Sequence, residues 1–263
     1  MGVADERAET AGAATVEVQN ADGESDVVLV CEHASRAIPA EFNGLGLQES
    51  VRSSHIAWDP GALGVARALS EKLDAPLVHQ LVSRLVYDCN RPPHSPDAVP
   101  EISEVFEIPG NRGLSAAARQ DRVDRFYLPF RRCLATLLEQ RGKRARRPVI
   151  VTVHSFTPVF FGKIRTVGIG ILHDSDRRFA DGVLAGLKPS KDIEIAENQP
   201  YGPENGVTHT LVEHGISRGL LNVMIEMRND LISGIVEQRR MADRLSAAII
   251  FALDRSRRAA AEG

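Results

Sequence analysis

The sequence predicts an α/β fold in which a mostly parallel sheet is covered by helices on both faces. Short apolar runs rich in β-branched residues, typical of buried strands, alternate along the chain with segments of helical periodicity. This alternation is typical of parallel strands joined by helical crossovers. No repeat or Ser/Gly linker interrupts residues 25–258. We therefore expect one domain over residues 25–263, preceded by a partly disordered segment over residues 1–24.

Six runs are predicted as strands and four segments as helices. The predicted strands are residues 27–31, 77–81, 85–88, 149–153, 167–172 and 221–227. The predicted helices are residues 55–73, 115–141, 176–187 and 229–257. Ser115 is the expected N-cap of the second helix. Pro129 is expected to kink or break that helix, because proline lacks a backbone N–H.

Composition and charge exclude several classes of partner. The chain has 263 residues and a formal net charge of −3, with 43% hydrophobic and 25% charged residues. This balance is ordinary for a soluble globular protein and implies no general attraction to nucleic acid or acidic membranes. No apolar run approaches the roughly 18 residues of a membrane span. We expect neither nucleic acid nor a membrane as partner, and a monomer is the favoured oligomeric state.

The N-terminal segment and the cysteines indicate the compartment. Residues 1–24 lack the basic and apolar regions of a signal peptide, and we expect partial disorder apart from residues 15–18. The three cysteines, Cys31, Cys89 and Cys133, cannot all pair, and their spacing fits no zinc ribbon. Cys31 and Cys89 lie in apolar runs, where cysteine behaves as a small hydrophobic residue. This usage fits a reducing compartment, so we expect a cytoplasmic protein.

Polar side chains follow four of the predicted strands. Glu32, His33 and Arg36 follow the first strand, and His154 follows the fourth. Asp88 ends the third strand and is followed by Asn90 and Arg91, and Glu226 lies at the end of the sixth. In an open α/β sheet, ligands bind outside the carboxyl ends of the strands. Zn²⁺ takes neutral histidine nitrogen and carboxylate oxygen. Two histidines near an isolated glutamate therefore predict a metal site.

A metal at this site would favour hydrolysis. A catalytic zinc keeps an open position for water and lowers the pKa of that water. Glu226 is the best candidate for the general base, and the alternative is a structural partner for Arg84 or Arg228. Arg91 offers a planar fork of donors that matches a carboxylate, and Asn90 adds a neutral donor. The residues therefore favour an anionic substrate.

Six segments together resemble the N-formylglutamate amidohydrolase family, especially a less characterised branch of it. The segments are residues 31–39, 55–62, 83–91, 109–114, 154–158 and 225–230, within about residues 17–235. The resemblance implies a three-layer sandwich with a mostly parallel mixed sheet, phosphorylase/hydrolase-like, similar to zinc-dependent exopeptidases and aspartoacylase. It also implies one zinc ion and cleavage of the amide bond of a small N-acyl amino acid. N-formyl-L-glutamate, which would give formate and glutamate, is the implied substrate.

The resemblance also assigns roles to particular residues. Arg84, Asn90 and Arg91 match the arginine and the Asn-Arg pair that such enzymes use for the substrate carboxylate and carbonyl. Relatives carry a glutamate ligand three residues after the first zinc histidine, whereas Arg36 stands at that place here. The resemblance implies His33 and His154 as ligands, with Asp59 as our choice for the third and Glu32 as the runner-up. Asp59 could instead cap the helix that follows it.

Other residues are weaker candidates. Residues 200–215 have the length and composition of an active-site loop, in which His209 could contact the substrate or be an ordinary loop residue. Arg112 could bind a second substrate carboxylate. Two further functions remain open: a non-catalytic protein that binds an anionic metabolite through Arg36, Arg84 and Arg91, and a carboxypeptidase or deacylase of different substrate. No serine-hydrolase elbow or nucleotide-binding loop follows a predicted strand.

Overall fold

A mixed sheet of seven strands forms the centre of the computed structural model, which describes residues 14–143, 147–187 and 192–262. The strands within these residues are β1 (Val16–Gln19), β2 (Val27–Cys31), β3 (Leu77–Gln80), β4 (Ile102–Ser103), β5 (Phe106–Glu107), β6 (Val149–Phe156), β7 (Val159–Phe160), β8 (Lys163–Ile164), β9 (Ile169–Leu172), β10 (Ile195–Glu197) and β11 (Asn222–Arg228). The order across the central sheet is β1-β3-β2-β6-β11-β9-β10. The pairs β4–β5 and β7–β8 form separate hairpins.

The central sheet is mostly parallel, as the sequence predicts. Strands β3, β2, β6 and β11 run parallel to one another, and β9 runs parallel to β10. Within the described part of this central sheet, only the β1–β3 and β9–β11 pairs are antiparallel. Strand β1 pairs with β3 from Val16 opposite Gln80 to Gln19 opposite Leu77. The first thirteen residues of the segment expected to be partly disordered lie outside the described residues.

Helices cover both faces of the sheet and produce the expected three layers. The helices are α1 (Glu49–Arg52), α2 (Ala62–Leu73), α3 (Ala116–Arg122), α4 (Leu128–Lys143), α5 (Arg178–Leu187) and α6 (Ile235–Glu262). Alternate residues of β2 point to opposite faces, so Val27 and Leu29 join one core while Val28 and Val30 join the other. Helices α2, α5 and α6 pack on the first face, and α4 packs on the second.

Two helices begin or change where the sequence contains a local signal. Helix α2 begins at Ala62 rather than at residue 55, because Pro60 disfavours helical geometry in the preceding residue and Gly61 has φ 82°. Ser115 caps α3 by accepting a hydrogen bond from the Ala118 amide at 3.1 Å. A π-helical turn, Val123–Tyr127, then joins α3 to α4 just before Pro129.

The predicted strand over residues 85–88 is wrong. The segment is a buried loop, in which the Val86 amide donates to the Ser83 carbonyl at 2.9 Å and the Asp88 amide to the Ala98 carbonyl at 2.8 Å. Its apolar side chains fill the second core without joining the sheet. A short apolar run has the same pattern in a buried loop as in a buried strand. The arginines of this region therefore stand on a loop beyond β3.

Two further features of the sequence, its cysteines and its apolar segments, can be compared with the structure. All three cysteines are free, and Cys31 and Cys89 are buried. A helix with the length and apolarity needed to cross a bilayer does not occur in the described parts of the chain.

Candidate active site

Three parallel neighbours, β2, β6 and β11, bring the candidate residues together at their carboxyl ends. His33 lies two residues beyond the end of β2, and His154 lies on β6. Glu226 on β11 is directly opposite His154 in the register of the two strands. Asp59 reaches the same place from the turn before α2, where its backbone amide donates to the His33 carbonyl at 2.9 Å. All four side chains are buried.

Three atoms of this group form a triangle of the size that a metal ion requires. His33 Nδ1 and His154 Nδ1 lie 3.2 Å and 3.0 Å from Asp59 Oδ2, and 3.2 Å from each other. Tetrahedral zinc with bonds of about 2.0–2.1 Å holds its ligand atoms about 3.3 Å apart. His33, Asp59 and His154 are therefore a buried group that could hold a metal ion.

The opposite ring nitrogens of both histidines face carboxylates. His33 Nε2 lies 2.7 Å from Asp88 Oδ1, and His154 Nε2 lies 3.1 Å from Glu32 Oε2. A carboxylate at this position holds the proton on Nε2 and leaves the Nδ1 lone pair free for a metal. Asp88 thus orients the His33 ring through a hydrogen bond, and Glu32 places a negative charge beside His154 Nε2. Glu32, the alternative third ligand, contacts the far side of His154 instead.

The carboxyl groups of the site differ in their acidity. Burial opposes ionisation of Asp59, but the positive charge and hydrogen bonds of His33 and His154 lower its pKa. Burial likewise opposes ionisation of Asp88, and His33 and Arg84 hold its pKa well below the usual range. Burial dominates at Glu226, whose pKa is raised to about 7, and the nearby Asp59 charge adds to this effect. Of these carboxyl groups, Glu226 is thus the one that most readily takes up a proton.

The Glu226 side chain faces the cavity and has an unpaired oxygen. Its side chain lines the cavity beside the His–Asp–His group. Its Oε2 atom is buried and has no hydrogen-bond partner among the described residues. A buried carboxyl oxygen without a partner is costly in a folded protein unless it serves a function or binds water.

A cavity of about 320 Å³ opens over the group. Seven residues that the sequence singles out line it: His33, Asp59, Arg84, Asn90, Arg91, His154 and Glu226. Other lining residues include Phe156, Phe160 and Tyr201, together with His55 and Glu104. The sequence predictions thus converge on one cavity, although they give Phe156, Phe160 and Glu104 no role.

The two arginines that line the cavity have different partners. Arg84 Nη2 donates to Asp88 Oδ2 at 2.8 Å, and its Nη1 lies 3.1 Å from His33 Nδ1. Asp88 therefore balances the charge of Arg84 beside the ligand triangle, the three facing atoms of His33, Asp59 and His154. Arg91 Nη1 donates to the backbone carbonyls of Gly206 at 2.7 Å and Asn90 at 3.1 Å. Arg91 has no carboxylate partner within the described residues, so its charge is available to an anion.

Asn90 connects the two loops that flank the cavity. Its Nδ2 donates to the Val207 carbonyl at 2.5 Å, and its Oδ1 accepts from the Thr210 amide at 3.0 Å. Both ends of the amide are thus hydrogen-bonded within the protein. Asn90 fixes residues 207–210 against the loop that carries Arg84 and Arg91.

Three other candidate residues lie outside the cavity lining. Arg36 is exposed, with its guanidinium carbon 5.9 Å from the centre of the Trp58 ring. Arg112 is exposed and donates to Glu107 at 2.9 Å. His209 Nε2 lies 2.8 Å from the Tyr127 hydroxyl, and burial lowers the pKa of this histidine.

Sequence reasoning missed a connection across the mouth of the cavity. Glu104, in the turn between β4 and β5, accepts from the Phe161 amide at 3.0 Å and lies 2.9 Å from His55 Nε2. It adopts φ 52°, which a turn residue other than glycine seldom does. His55 belongs to a motif that the sequence marks, but nothing in the sequence indicates that a hairpin glutamate reaches it.

The fold and the site together define a class of protein. A three-layer α/β fold with a group able to hold a metal at its strand ends can carry out metal-assisted hydrolysis. A family model described as N-formylglutamate amidohydrolase matches residues 25–233, and the chain belongs to that family. It is therefore a hydrolase that acts on a non-peptide carbon–nitrogen amide bond.

Two solved structures are similar to the chain. A gene product of Agrobacterium tumefaciens is 52% identical, with a TM-score of 0.91 and coverage of 92% of this chain and 96% of the other. The N-formylglutamate amidohydrolase of Ralstonia eutropha JMP134 is 18% identical, with a TM-score of 0.62 and coverage of 93% and 99%. The second likeness shows a shared fold. A search of curated proteins finds no match.

Proposed function

We propose that the protein is a zinc-dependent amidohydrolase that cleaves the amide bond of a small N-acyl amino acid such as N-formyl-L-glutamate. The observation that carries the proposal is the triangle of His33, Asp59 and His154, with mutual distances of 3.0–3.2 Å, beside Glu226. Membership of the amidohydrolase family supports the reaction type.

The donor set fits zinc. Two imidazole nitrogens and one carboxylate oxygen are ligands that Zn²⁺ accepts, whereas Mg²⁺ and Ca²⁺ prefer oxygen alone. His33, Asp59 and His154 would hold the ion. When bound, the ion supplies a Lewis acid that lowers the pKa of water and polarises a carbonyl.

Glu226 acts as general base and then as general acid. It accepts a proton from the attacking water through its free Oε2 atom, and passes that proton to the amine that leaves. In the metal-free protein burial raises the pKa of Glu226 to about 7, so this carboxyl group takes up a proton more readily than an exposed glutamate does.

The two arginines have separate tasks. Arg91 binds the substrate carboxylate, because it lines the cavity and lacks a carboxylate partner among the described residues. Arg84 lies beside the ligand triangle and stabilises the negative charge that develops on the carbonyl oxygen. Asn90 acts indirectly, by holding the loop that follows Tyr201.

The geometry favours this function over a binding protein without catalysis. Arg36 replaces the glutamate ligand of related enzymes, which motivates the binding hypothesis. Asp59 nevertheless completes a three-residue group, so the group does not depend on residue 36.

Metal analysis combined with an activity assay tests the proposal. We expect the purified protein to contain about one zinc per chain and to release formate from N-formyl-L-glutamate. A chelator should abolish turnover, and added Zn²⁺ should restore it. Protein that neither contains zinc nor responds to added zinc would contradict the proposed metal dependence.

A further inference from the structure

Three aromatic rings form one wall of the cavity. Phe156, Phe160 and Tyr201 all line it, and they come from three different segments: the end of β6, the β7–β8 hairpin and the loop after β10. Phe156 is buried, whereas Phe160 and Tyr201 are half-buried, so the last two rings present most of the open surface of the wall. A formyl group, with its one carbon, is too small to cover both of these rings. The rings are therefore an unexplained feature of a site that acts on formyl groups.

Arg165 holds the three rings together. Its guanidinium carbon lies 4.3 Å from the centre of the Phe160 ring, 4.7 Å from that of Tyr201 and 5.6 Å from that of Phe156. Its Nη1 also donates to the Tyr201 hydroxyl at 2.8 Å. Arg165 is not itself part of the cavity lining, so its cation–π contacts support the rings from outside the cavity.

The backbone of Arg165 is fixed as well. Arg228, at the end of β11, donates from Nη1 to the carbonyls of Arg165 and Thr166, each at 3.0 Å. The wall is thus anchored to the strand that carries Glu226. A rigid apolar surface of this kind binds a complementary group without the entropic cost of ordering its side chains.

The wall begins next to the proposed reaction centre. Phe156 lies two residues beyond His154 on β6, so both side chains are on the same face of the strand. Phe160 continues the wall on the β7–β8 hairpin, where it too lines the cavity. An apolar group attached to a carbonyl near His154 would therefore extend along the rings.

We propose that this wall binds the acyl group of the substrate, and that the preferred acyl group is apolar and larger than formyl. This inference rests on the proposed amidohydrolase function and on Arg91 as the site for the carboxylate of the amino-acid half. It places the amino-acid half at Arg91 and the acyl half against Phe156, Phe160 and Tyr201.

A series of N-acyl-L-glutamates tests the proposal, because its members differ only in the acyl group. We expect zinc-loaded protein to have a kcat/KM for N-phenylacetyl-L-glutamate about tenfold or more above that for N-formyl-L-glutamate, with N-acetyl-L-glutamate between them. A higher kcat/KM for the formyl compound would overturn the proposal.

Variants of the hairpin assign the effect to the wall. Phe160→Ala should lower kcat/KM for the phenylacetyl compound about tenfold more than it lowers kcat/KM for the formyl compound. Phe160→Leu, which retains apolar volume, should give an intermediate loss. Ile164→Ala is the matched control, because Ile164 lies on the same hairpin, is 81% exposed and does not line the cavity. Equal losses for both substrates in Phe160→Ala would overturn the proposal.

Two further measurements separate this inference from neighbouring hypotheses. N-formyl-L-phenylalanine carries its apolar group on the amino-acid half. If Phe160→Ala lowered kcat/KM for this compound but not for N-phenylacetyl-L-glutamate, the assignment of the wall to the acyl group would be overturned. Dissociation constants from calorimetry do not require turnover. If no compound is hydrolysed, the proposed function fails. Even then, a lower dissociation constant for the phenylacetyl compound than for the formyl compound, raised by Phe160→Ala, would support the acyl subsite. Equal dissociation constants for the two compounds would overturn the acyl subsite.

Discussion

The two histidines and the glutamate of the candidate site stand on a different kind of backbone from the two arginines beside them. His154 and Glu226 lie on parallel neighbouring strands, and His33 follows a third, so the sheet register fixes their separation. Arg84 and Arg91 lie on a loop that is held to a second loop by side-chain hydrogen bonds. The strand-based half, which comprises His33, His154 and Glu226, is expected to keep its geometry without substrate. The loop-based half depends on a few hydrogen bonds and can diverge more readily among related enzymes.

The largest effect is expected at Glu226, in the strand-based half. Glu226→Gln keeps the shape of the side chain but cannot accept the proton from water. We expect kcat to fall by about 10²–10⁴-fold, while zinc content stays unchanged because Glu226 is not a ligand of the proposed site. Steady-state kinetics and metal analysis of the same preparation measure both quantities. A variant that hydrolyses substrate as fast as the parent would remove Glu226 from the mechanism.

Asp88 connects the two halves, and its substitution is expected to weaken metal binding. Asp88→Asn loses the charge that orients His33 Nε2 at 2.7 Å and that pairs with Arg84 at 2.8 Å. Loss of a carboxylate behind a ligand histidine weakens metal binding by about 10–100-fold. Competition titration with a zinc chelator measures the affinity.

A matched control for Asp88→Asn is Asp176→Asn. Asp176 pairs with Arg178 and lies outside the cavity lining, so zinc affinity should not change. Unchanged affinity in Asp88→Asn itself would show that His33 does not need its carboxylate partner.

The sequence predicts the sheet better than it predicts the loops. Buried strands such as β2 and β6 are apolar along their whole length, and this pattern is visible without a structure. Residues 85–88 show the same pattern but form a loop, because burial and not strand pairing makes a run apolar. Four residues are too few to show the hydrophobic period that distinguishes a strand from other structures.

The candidate site shows a similar limit. The group that could hold a metal combines His33 and His154, which follow predicted strands, with Asp59, which a family motif marks. The contacts of Glu32 with His154 and of Asp88 with His33 depend on which way each side chain turns, so the sequence predicts neither contact. Arg36 and Arg112 have the right chemistry for an anion, but their loops place them on the surface.

A smaller effect, on substrate affinity, is expected at Arg91 in the loop-based half. Arg91→Lys keeps the charge but loses the planar fork that matches a carboxylate. We expect KM to rise about tenfold or more with little change in kcat, since a hydrogen bond to a charged group contributes about 1.5–3 kcal/mol. Arg36→Lys is the control, because Arg36 is exposed and outside the cavity lining. Similar KM changes in both variants would contradict the role of Arg91.

The smallest effect is expected at Glu104, which contacts loops but no ligand of the proposed metal site. Glu104→Gln weakens the contacts to His55 and to the Phe161 amide that hold the β4–β5 and β7–β8 hairpins together. A net hydrogen bond contributes about 1 kcal/mol, so kcat/KM should fall about threefold to tenfold. Limited proteolysis should also cut the β7–β8 hairpin faster.

Glu107→Gln provides the comparison for Glu104→Gln. Glu107 lies on the same hairpin but pairs with Arg112 on the surface, so both measurements should match those of the parent. If Glu104→Gln also leaves the proteolysis rate and kcat/KM unchanged, the hairpins do not need this connection. The mouth of the cavity would then be held by the aromatic contacts of Phe160 with Arg165 and by the strands themselves.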